Sequence, residues 1–468
     1  MTFSETLKTM FGKSLSVQRS ESGLFHYLRE NESEKSRIHL RVDADGHGTL
    51  IVNANRVMHL NPTATVMAKM LLEKQSDAEI TKTFKSKWNV KSEQVQTDLA
   101  SFKFQLEELL RPDGACAIHE LELETSMPFS ARPSAPYRMD LAVTYRCNND
   151  CAHCYNARER NFPELTTAAW KKILDKLWDL GVPHVVFTGG EATLRSDLPE
   201  LIAHAESNGQ ITGLNTNARR LADEKYVAQL TEAGLDHVQI TVESSDAEIH
   251  DAMMRAKGAF RQTIRGLKNA LGSPLYVMTN TTMLRTNVHT IPDTLDFLAD
   301  IGVPTIGLNA LIYSGNGLTV GTGLAESELQ PILEVAIQKT AARGQKLIWY
   351  TPTQYCQFDP TKQNLGVKGC TAALYSMCIE SNGNVIPCQS YYHPLGNFLE
   401  DEWESIWQHP LSVQLRERYN LPFKCEGCEL VPECGGGCPL QFENHRQEFG
   451  VNLPLIASTA IQEHMEET

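Results

Sequence analysis

No stretch of this 468-residue chain approaches the roughly 18 consecutive apolar residues that a membrane-spanning helix needs. The N-terminal segment MTFSETLKTMFGKSLSVQRSESG also lacks the apolar run of a secretory signal peptide. Positive charge is scarce: 43 Lys and Arg stand against 57 Asp and Glu, a net charge of -14, which argues against a nucleic-acid partner. Low-complexity sequence is missing too. With 41% hydrophobic and 21% charged residues the composition is that of a globular protein. The expectation is a soluble cytoplasmic protein of two or three domains, with neither a membrane nor a nucleic acid as partner.

Cysteine is not scarce. Eleven of the twelve fall between Cys147 and Cys154 or between Cys356 and Cys438, and Cys116 stands apart. A disulfide framework spreads its crosslinks along a chain, whereas clustered cysteines at short spacings in a cytosolic protein converge on metal.

Five regions separate along the chain: an arm over residues 1–36, a compact module over 37–115, a linker over 116–136, a βα array over 137–347 and a cysteine-rich region over 348–468. In the module, RIHLRV and TLIVN flank the turn Gly46-His47-Gly48 as a β-hairpin, and VMHLN follows as a third strand. Helices are expected over Thr63–Glu73, Ser76–Trp88 and Ser92–Leu110. Ser76 and Glu79 form a capping box for the second. Val95, Leu99, Phe102, Leu106 and Leu109 give the third one apolar face. Three strands and three helices in this length make a winged-helix-like unit. After the prolines of the linker, MDLAVT, HVVFTG, ITGLNT, HVQITV, LYVMTNTTM and TIGLNAL alternate with helical segments. Six tandem βα units imply an α/β fold with a parallel sheet, open or curled into a partial barrel. The region after Ile348 is turn-rich and expected to fold around metal.

Cys147-x3-Cys151-x2-Cys154 follows the first strand of the array directly, with Tyr155 next. Three thiolates on one loop can bind three irons of a 4Fe–4S cluster and leave the fourth without a protein ligand. Zinc is the rival, but a structural zinc site wants four ligands, and His153 would be a cramped fourth. The loop also sits at the C-terminal end of a strand, where barrel chemistry takes place. The motif resembles the signature of the radical S-adenosylmethionine (SAM) enzymes. Strand two ends in Thr188-Gly189-Gly190-Glu191, similar to the family's Gly-Gly-Glu segment. There the resemblance implies close backbone approach to SAM and a carboxylate for its ammonium. Asn217 at the third strand end, and Thr241 and Glu243 at the fourth, match positions of SAM contact in the family. Arg255 matches a carboxylate clamp displaced by one residue, and His153 is expected to pack near the adenine.

Cys370, Cys388, Cys425, Cys428, Cys434 and Cys438 resemble the SPASM extension of these enzymes, which houses two auxiliary iron–sulfur clusters, 4Fe–4S in type; a zinc ribbon is the alternative. The resemblance implies that Cys438 joins Cys370 and Cys388 on a first cluster, completed from Cys356 or Cys378, with Cys356 preferred. Cys425, Cys428 and Cys434 would hold a second. No cysteine follows Cys438, so that second cluster is expected to take an oxygen or nitrogen ligand, with Glu443, His445 and Glu448 in the right stretch. Residues 37 to about 112 resemble the peptide chaperone of pyrroloquinoline-quinone biosynthesis, also called the RiPP recognition element, which captures a leader peptide by strand addition.

Together the resemblances imply a radical SAM enzyme that modifies a ribosomally made precursor peptide through a 5′-deoxyadenosyl radical. A thioether or other intramolecular crosslink is the leading product, and flavodoxin or ferredoxin the electron donor. A maturase acting on a protein residue, or a non-catalytic iron–sulfur scaffold or sensor, are the alternatives.

Overall fold

The computed structural model describes residues 22–31, 34–53, 56–88, 90–110, 133–156, 162–419 and 421–444. Cys116, His445 and Glu448 lie outside these residues, as does the side chain of Glu443. The chain divides into two compact units, one holding the N-terminal residues to Ser134 together with Leu177–Pro183, the other holding the rest.

In the first unit, β1 (Gly23–Asn31), β2 (Glu34–Val42), β3 (Gly48–Val52) and β4 (Arg56–Leu60) form an antiparallel meander in that order. Helices Pro62–Leu72, Asp77–Trp88 and Ser92–Leu110 follow, close to the expected bounds. The capping box forms as read: Glu79 Oε2 accepts from the Ser76 N–H at 2.8 Å, and the Glu79 N–H donates to Ser76 Oγ at 3.3 Å. Val95, Leu99, Phe102, Leu106 and Leu109 are all buried, in one cluster with Leu40, Leu50 and Ile80. Strand β1 is the correction. It occupies what the sequence suggested was an arm, and it covers β2 over its whole length from Gly23↔Val42 to Asn31↔Glu34.

In the second unit, β5 (Arg138–Thr144), β6 (His184–Gly189), β7 (Ile211–Thr216), β8 (His237–Thr241), β9 (Tyr276–Thr282) and β10 (Thr305–Asn309) are the six expected strands. They pair side by side, all parallel, in chain order. Each crossover carries a helix that buries its apolar face; on Thr167–Asp179, Trp170, Ile173, Leu174 and Leu177 are fully buried. The sheet runs further than expected. On one side β11 (Lys346–Trp349) extends it in parallel with β10. On the other, β12 (Ser376–Ile379) pairs in parallel with β5 and carries β13 (Asn384–Ile386) and β14 (Gly396–Asn397) antiparallel beyond it. The cysteine-rich region therefore adds strands to the main sheet as well as loops. No helix among the described residues is long and apolar enough to cross a membrane.

Candidate active site at the strand ends

The loop that holds Cys147, Cys151 and Cys154 leaves β5 at its C-terminal end and is fastened from three sides. From β7, Asn217 Nδ2 donates to Asn148 Oδ1 at 2.7 Å. Arg219 donates to the Asn148 carbonyl and, at 2.7 Å, to Asn149 Oδ1. From the helix Ala247–Met254, the carbonyls of Met254 and Met253 accept the N–H groups of Asp150 (3.1 Å) and Ala152 (2.8 Å). From the segment after β10, the Asn316 N–H donates to the Cys154 carbonyl at 2.8 Å, and Asn316 Nδ2 donates to the Cys151 carbonyl at 3.0 Å. Arg219 and Asn316 were not legible as site residues, because their spacing to the motif carries no signal.

The three thiols are neighbours in space. Burial first, and then the charges of Cys154 and Cys147, push the Cys151 thiol well above its ordinary range. A thiol held this way ionises when a metal supplies the opposing charge. Among the described residues no three His, Cys, Asp or Glu side chains stand close enough to hold one metal ion. A closed zinc site needs four donors about 2.3 Å from one point, and this loop supplies three cysteines. Thiolates of a cluster each bind a different iron, and three neighbouring cysteines on one exposed loop fit that group.

The Gly-Gly-Glu turn also has a local packing reason for its glycines. A Cβ on Gly189, whose φ is +124°, would stand 2.0 Å from the Thr144 carbonyl oxygen. One on Gly190 would stand 2.4 Å from the Arg146 oxygen and 2.6 Å from that of Tyr145. The glycines let the end of β6 press against the backbone leading into Cys147, where Gly190 N–H donates to Thr144 O at 2.8 Å and Glu191 N–H to Arg146 O at 2.9 Å. Glu191 is likewise engaged within the protein. Its carboxylate is 1% exposed and accepts from Thr193 N–H (3.1 Å), Thr193 Oγ1 (2.6 Å), Thr216 Oγ1 (2.7 Å) and Asn217 N–H (2.8 Å). Four donors occupy the lone pairs a carboxylate offers. Glu191 thereby ties the ends of β6 and β7 together.

His153 and Glu243 meet: Nε2 lies 3.0 Å from Glu243 Oε1, and the carboxylate also accepts the Thr282 N–H at 2.8 Å. Glu243 is fully buried, so this pair links the cysteine loop to β8 and β9. Thr241 is the last residue of β8, opposite Asn280. Tyr155 donates to Gln389 Oε1 at 3.1 Å, and burial, then the charge of Cys154, raises its phenol above the usual range. Arg255 ends its helix in the left-handed region (φ 46°) and lies 3.7 Å from the exposed carboxylate of Asp150 on the cysteine loop.

The C-terminal cysteines fall into two sets. Cys370, Cys388 and Cys438 act on one another electrostatically, and burial first raises all three thiols, Cys388 to about 12. Cys425, Cys428 and Cys434 form the second set, and Cys425 and Cys434 both interact electrostatically with Cys356. The reason is the path of the chain after β11, where the Tyr355 N–H donates to Cys434 Sγ at 3.4 Å. Cys378 is fully buried in β12 and packs against Ala142 and Ile386 as a structural thiol.

Residues 141–298 match the Radical SAM superfamily, and residues 370–429 match the iron–sulfur cluster-binding SPASM domain. Among curated proteins, the chain is 28% identical over 334 residues to the Fe-coproporphyrin III synthase of Methanosarcina barkeri, covering 64% of this chain and 82% of that one. It is 30% identical over 322 residues to the PqqA peptide cyclase of Bradyrhizobium diazoefficiens, covering 65% and 82%. The crystal structure of Streptococcus suis SuiB bound to the precursor peptide SuiA has the same fold, with a TM-score of 0.67 at 18% identity over 90% of this chain and 97% of that one. A three-cysteine loop braced at the head of a parallel sheet thus agrees with the sequence relationship, and the chain belongs to the radical SAM superfamily, carrying a SPASM iron–sulfur domain and binding SAM, a 4Fe–4S cluster and auxiliary clusters.

Proposed function

We propose that this protein modifies a ribosomally made precursor peptide, forming a thioether or another intramolecular crosslink. The observation that carries the reading is the N-terminal unit, a four-stranded sheet with three helices preceding the radical SAM domain. Chemistry on a small molecule has no evident use for such a unit, whereas a sheet edge is a ready template for an extended peptide. Strands β2 and β3 are each paired on both sides, so the hairpin itself offers no edge; the edges are β1 and β4. Of the hairpin Arg37–Asn53 and the strand Val57–Leu60, only the second lies at an edge, and its Val57 is 37% exposed.

When bound, the cluster and SAM supply an adenosyl radical able to take a hydrogen atom from an unactivated carbon. The chain's own part is to hold the cysteine loop through Asn217, Arg219 and Asn316, to keep the β6–β7 ends rigid through Glu191, and to connect the loop to β8 through His153 and Glu243. Cys370, Cys388 and Cys438, and Cys425, Cys428 and Cys434, would hold auxiliary clusters, whose capacity to take up an electron would favour an oxidative crosslink over epimerisation. A flavodoxin or ferredoxin provides the reducing electron.

The test is anaerobic incubation with SAM, a reductant and the peptide encoded by a short reading frame beside the gene. The expected product has lost the mass of two hydrogen atoms; an unchanged peptide alongside continued SAM consumption counts against the reading. In the same assay, removing residues 1–115 is expected to weaken peptide binding by roughly tenfold or more, about 1.4 kcal/mol at least. SAM cleavage without peptide should persist in that variant. Unchanged peptide affinity, measured by fluorescence anisotropy, would count against capture by the N-terminal unit.

A further inference from the structure

The segment Thr353–Cys356 is held against the loop that carries Cys434. Besides the contact from the Tyr355 N–H, Cys434 Sγ lies 3.6 Å from the Thr353 carbonyl. Lys424 Nζ donates to Gln354 Oε1, and a Cβ on Gly437 would stand 3.1 Å from Gln354 Cγ and 3.3 Å from its nitrogen. On its other side the segment is fixed by the helix Glu326–Ala342, where Glu326 Oε2 accepts the Gln354 N–H at 2.9 Å. The carbonyl of Gln354 then accepts the N–H groups of Gln357 (2.8 Å) and Phe358 (2.9 Å), closing a turn that presents Cys356. Trp349 and Phe358, buried edge to face at 6.2 Å, anchor the two ends of the excursion.

We propose that Cys356 is the fourth thiolate of the auxiliary cluster held by Cys425, Cys428 and Cys434, so that this cluster is closed by a cysteine lying some 70 residues before the other three and not by one after them. Two observations converge on it. The residue adjacent to Cys356 touches Cys434 directly, and the turn closed by the Gln354 carbonyl presents Cys356 beside it. And Cys356 itself is exposed, free of the apolar packing that makes Cys378 an inert buried thiol. A thiolate so placed satisfies the iron that the spacing of the downstream cysteines left open, and no oxygen or nitrogen ligand is required there. The set Cys370, Cys388 and Cys438 then has three thiolates among the described residues.

The proposal rests on the presence of auxiliary clusters, and its test separates the two. In a background with Cys147, Cys151 and Cys154 replaced by Ala, only auxiliary iron remains. Iron content, Mössbauer spectra and electron paramagnetic resonance are compared with and without Cys356→Ala. The expected result is loss of one cluster's iron, or its conversion to a three-iron form, while the other cluster is unchanged. Cys356→Ser is expected to keep the fold and shift the reduction potential of one cluster alone, which decides the matter if the alanine variant does not fold. Two intact four-iron clusters with unshifted potentials in both variants would overturn the ligand assignment. Zinc in place of iron in the parent background would overturn the cluster reading itself.

Discussion

Replacing Cys147, Cys151 and Cys154 together by Ala is expected to abolish formation of 5′-deoxyadenosine from SAM and dithionite while leaving the auxiliary iron in place. The three thiols are the only cysteines on the loop at the head of β5, and the auxiliary cysteines follow more than 200 residues later. His153 is paired with Glu243, and the nearest sulfur beyond the triad is the thioether of Met254, 3.5 Å from Cys151 Sγ. A thioether carries no charge to balance iron, so the loss is complete and not graded. The fold should survive. The contacts that fasten the loop run through the side chains of Asn217, Arg219 and Asn316 and through backbone groups, and none of those in turn depends on a thiol. The check is anaerobic chromatography of the reaction beside iron analysis of the variant. Continued 5′-deoxyadenosine production would remove the loop from catalysis.

Gly190→Ala is expected to cost several kcal/mol, on the order of 4 or more, and to lower the iron held by the cysteine loop. The added methyl would meet carbonyl oxygens at 2.4 and 2.6 Å, and these belong to backbone that cannot rotate away as a side chain would. Moving Tyr145 and Arg146 moves Cys147 with them. Gly189→Ala meets the Thr144 oxygen at 2.0 Å and carries the added strain of φ +124°. A control separates steric conflict from backbone strain. Gly258 has φ +77° with nothing within 4 Å of its missing Cβ, so Gly258→Ala should cost only about 1–2 kcal/mol. Thermal denaturation of the anaerobically purified proteins measures both, and equal losses at Gly190 and Gly258 would contradict the packing argument.

Much of this site was legible because its signals are local. The cysteine spacing, the Gly-Gly-Glu turn and the six strands with their intervening helices lie within windows where periodicity and motif spacing speak directly. What escaped depended on partners far along the chain. Asn316 reaches the Cys151 carbonyl across 165 residues, and Arg219 reaches Asn149 across 70. The same applies to Glu191: the motif located it correctly, but Thr216 and Asn217, which fill its carboxylate, come from the next strand. Strand β1 escaped for another reason. As an edge strand it is only half-buried along Gly23–Tyr27 and exposed at Leu28 and Arg29, so burial imposed no clean alternation on its sequence. The helix Ala247–Met254 was not among the expected elements, although Asp246 caps it by accepting the N–H groups of Glu248 and Ile249. Cys356 shows the limit most clearly, since its assignment turned on which of two distant cysteine sets the chain passes after β11.

On the proposed function, a radical formed at the Cys147–Cys154 loop takes hydrogen from a peptide. The most direct test is isotope transfer. The peptide encoded by a short reading frame beside the gene is prepared fully deuterated at carbon and incubated anaerobically with the enzyme, SAM and reductant. Deuterium is expected in the 5′-deoxyadenosine, in step with the change in peptide mass and absent with the triple alanine variant. 5′-Deoxyadenosine formed without deuterium while the peptide is modified would contradict it.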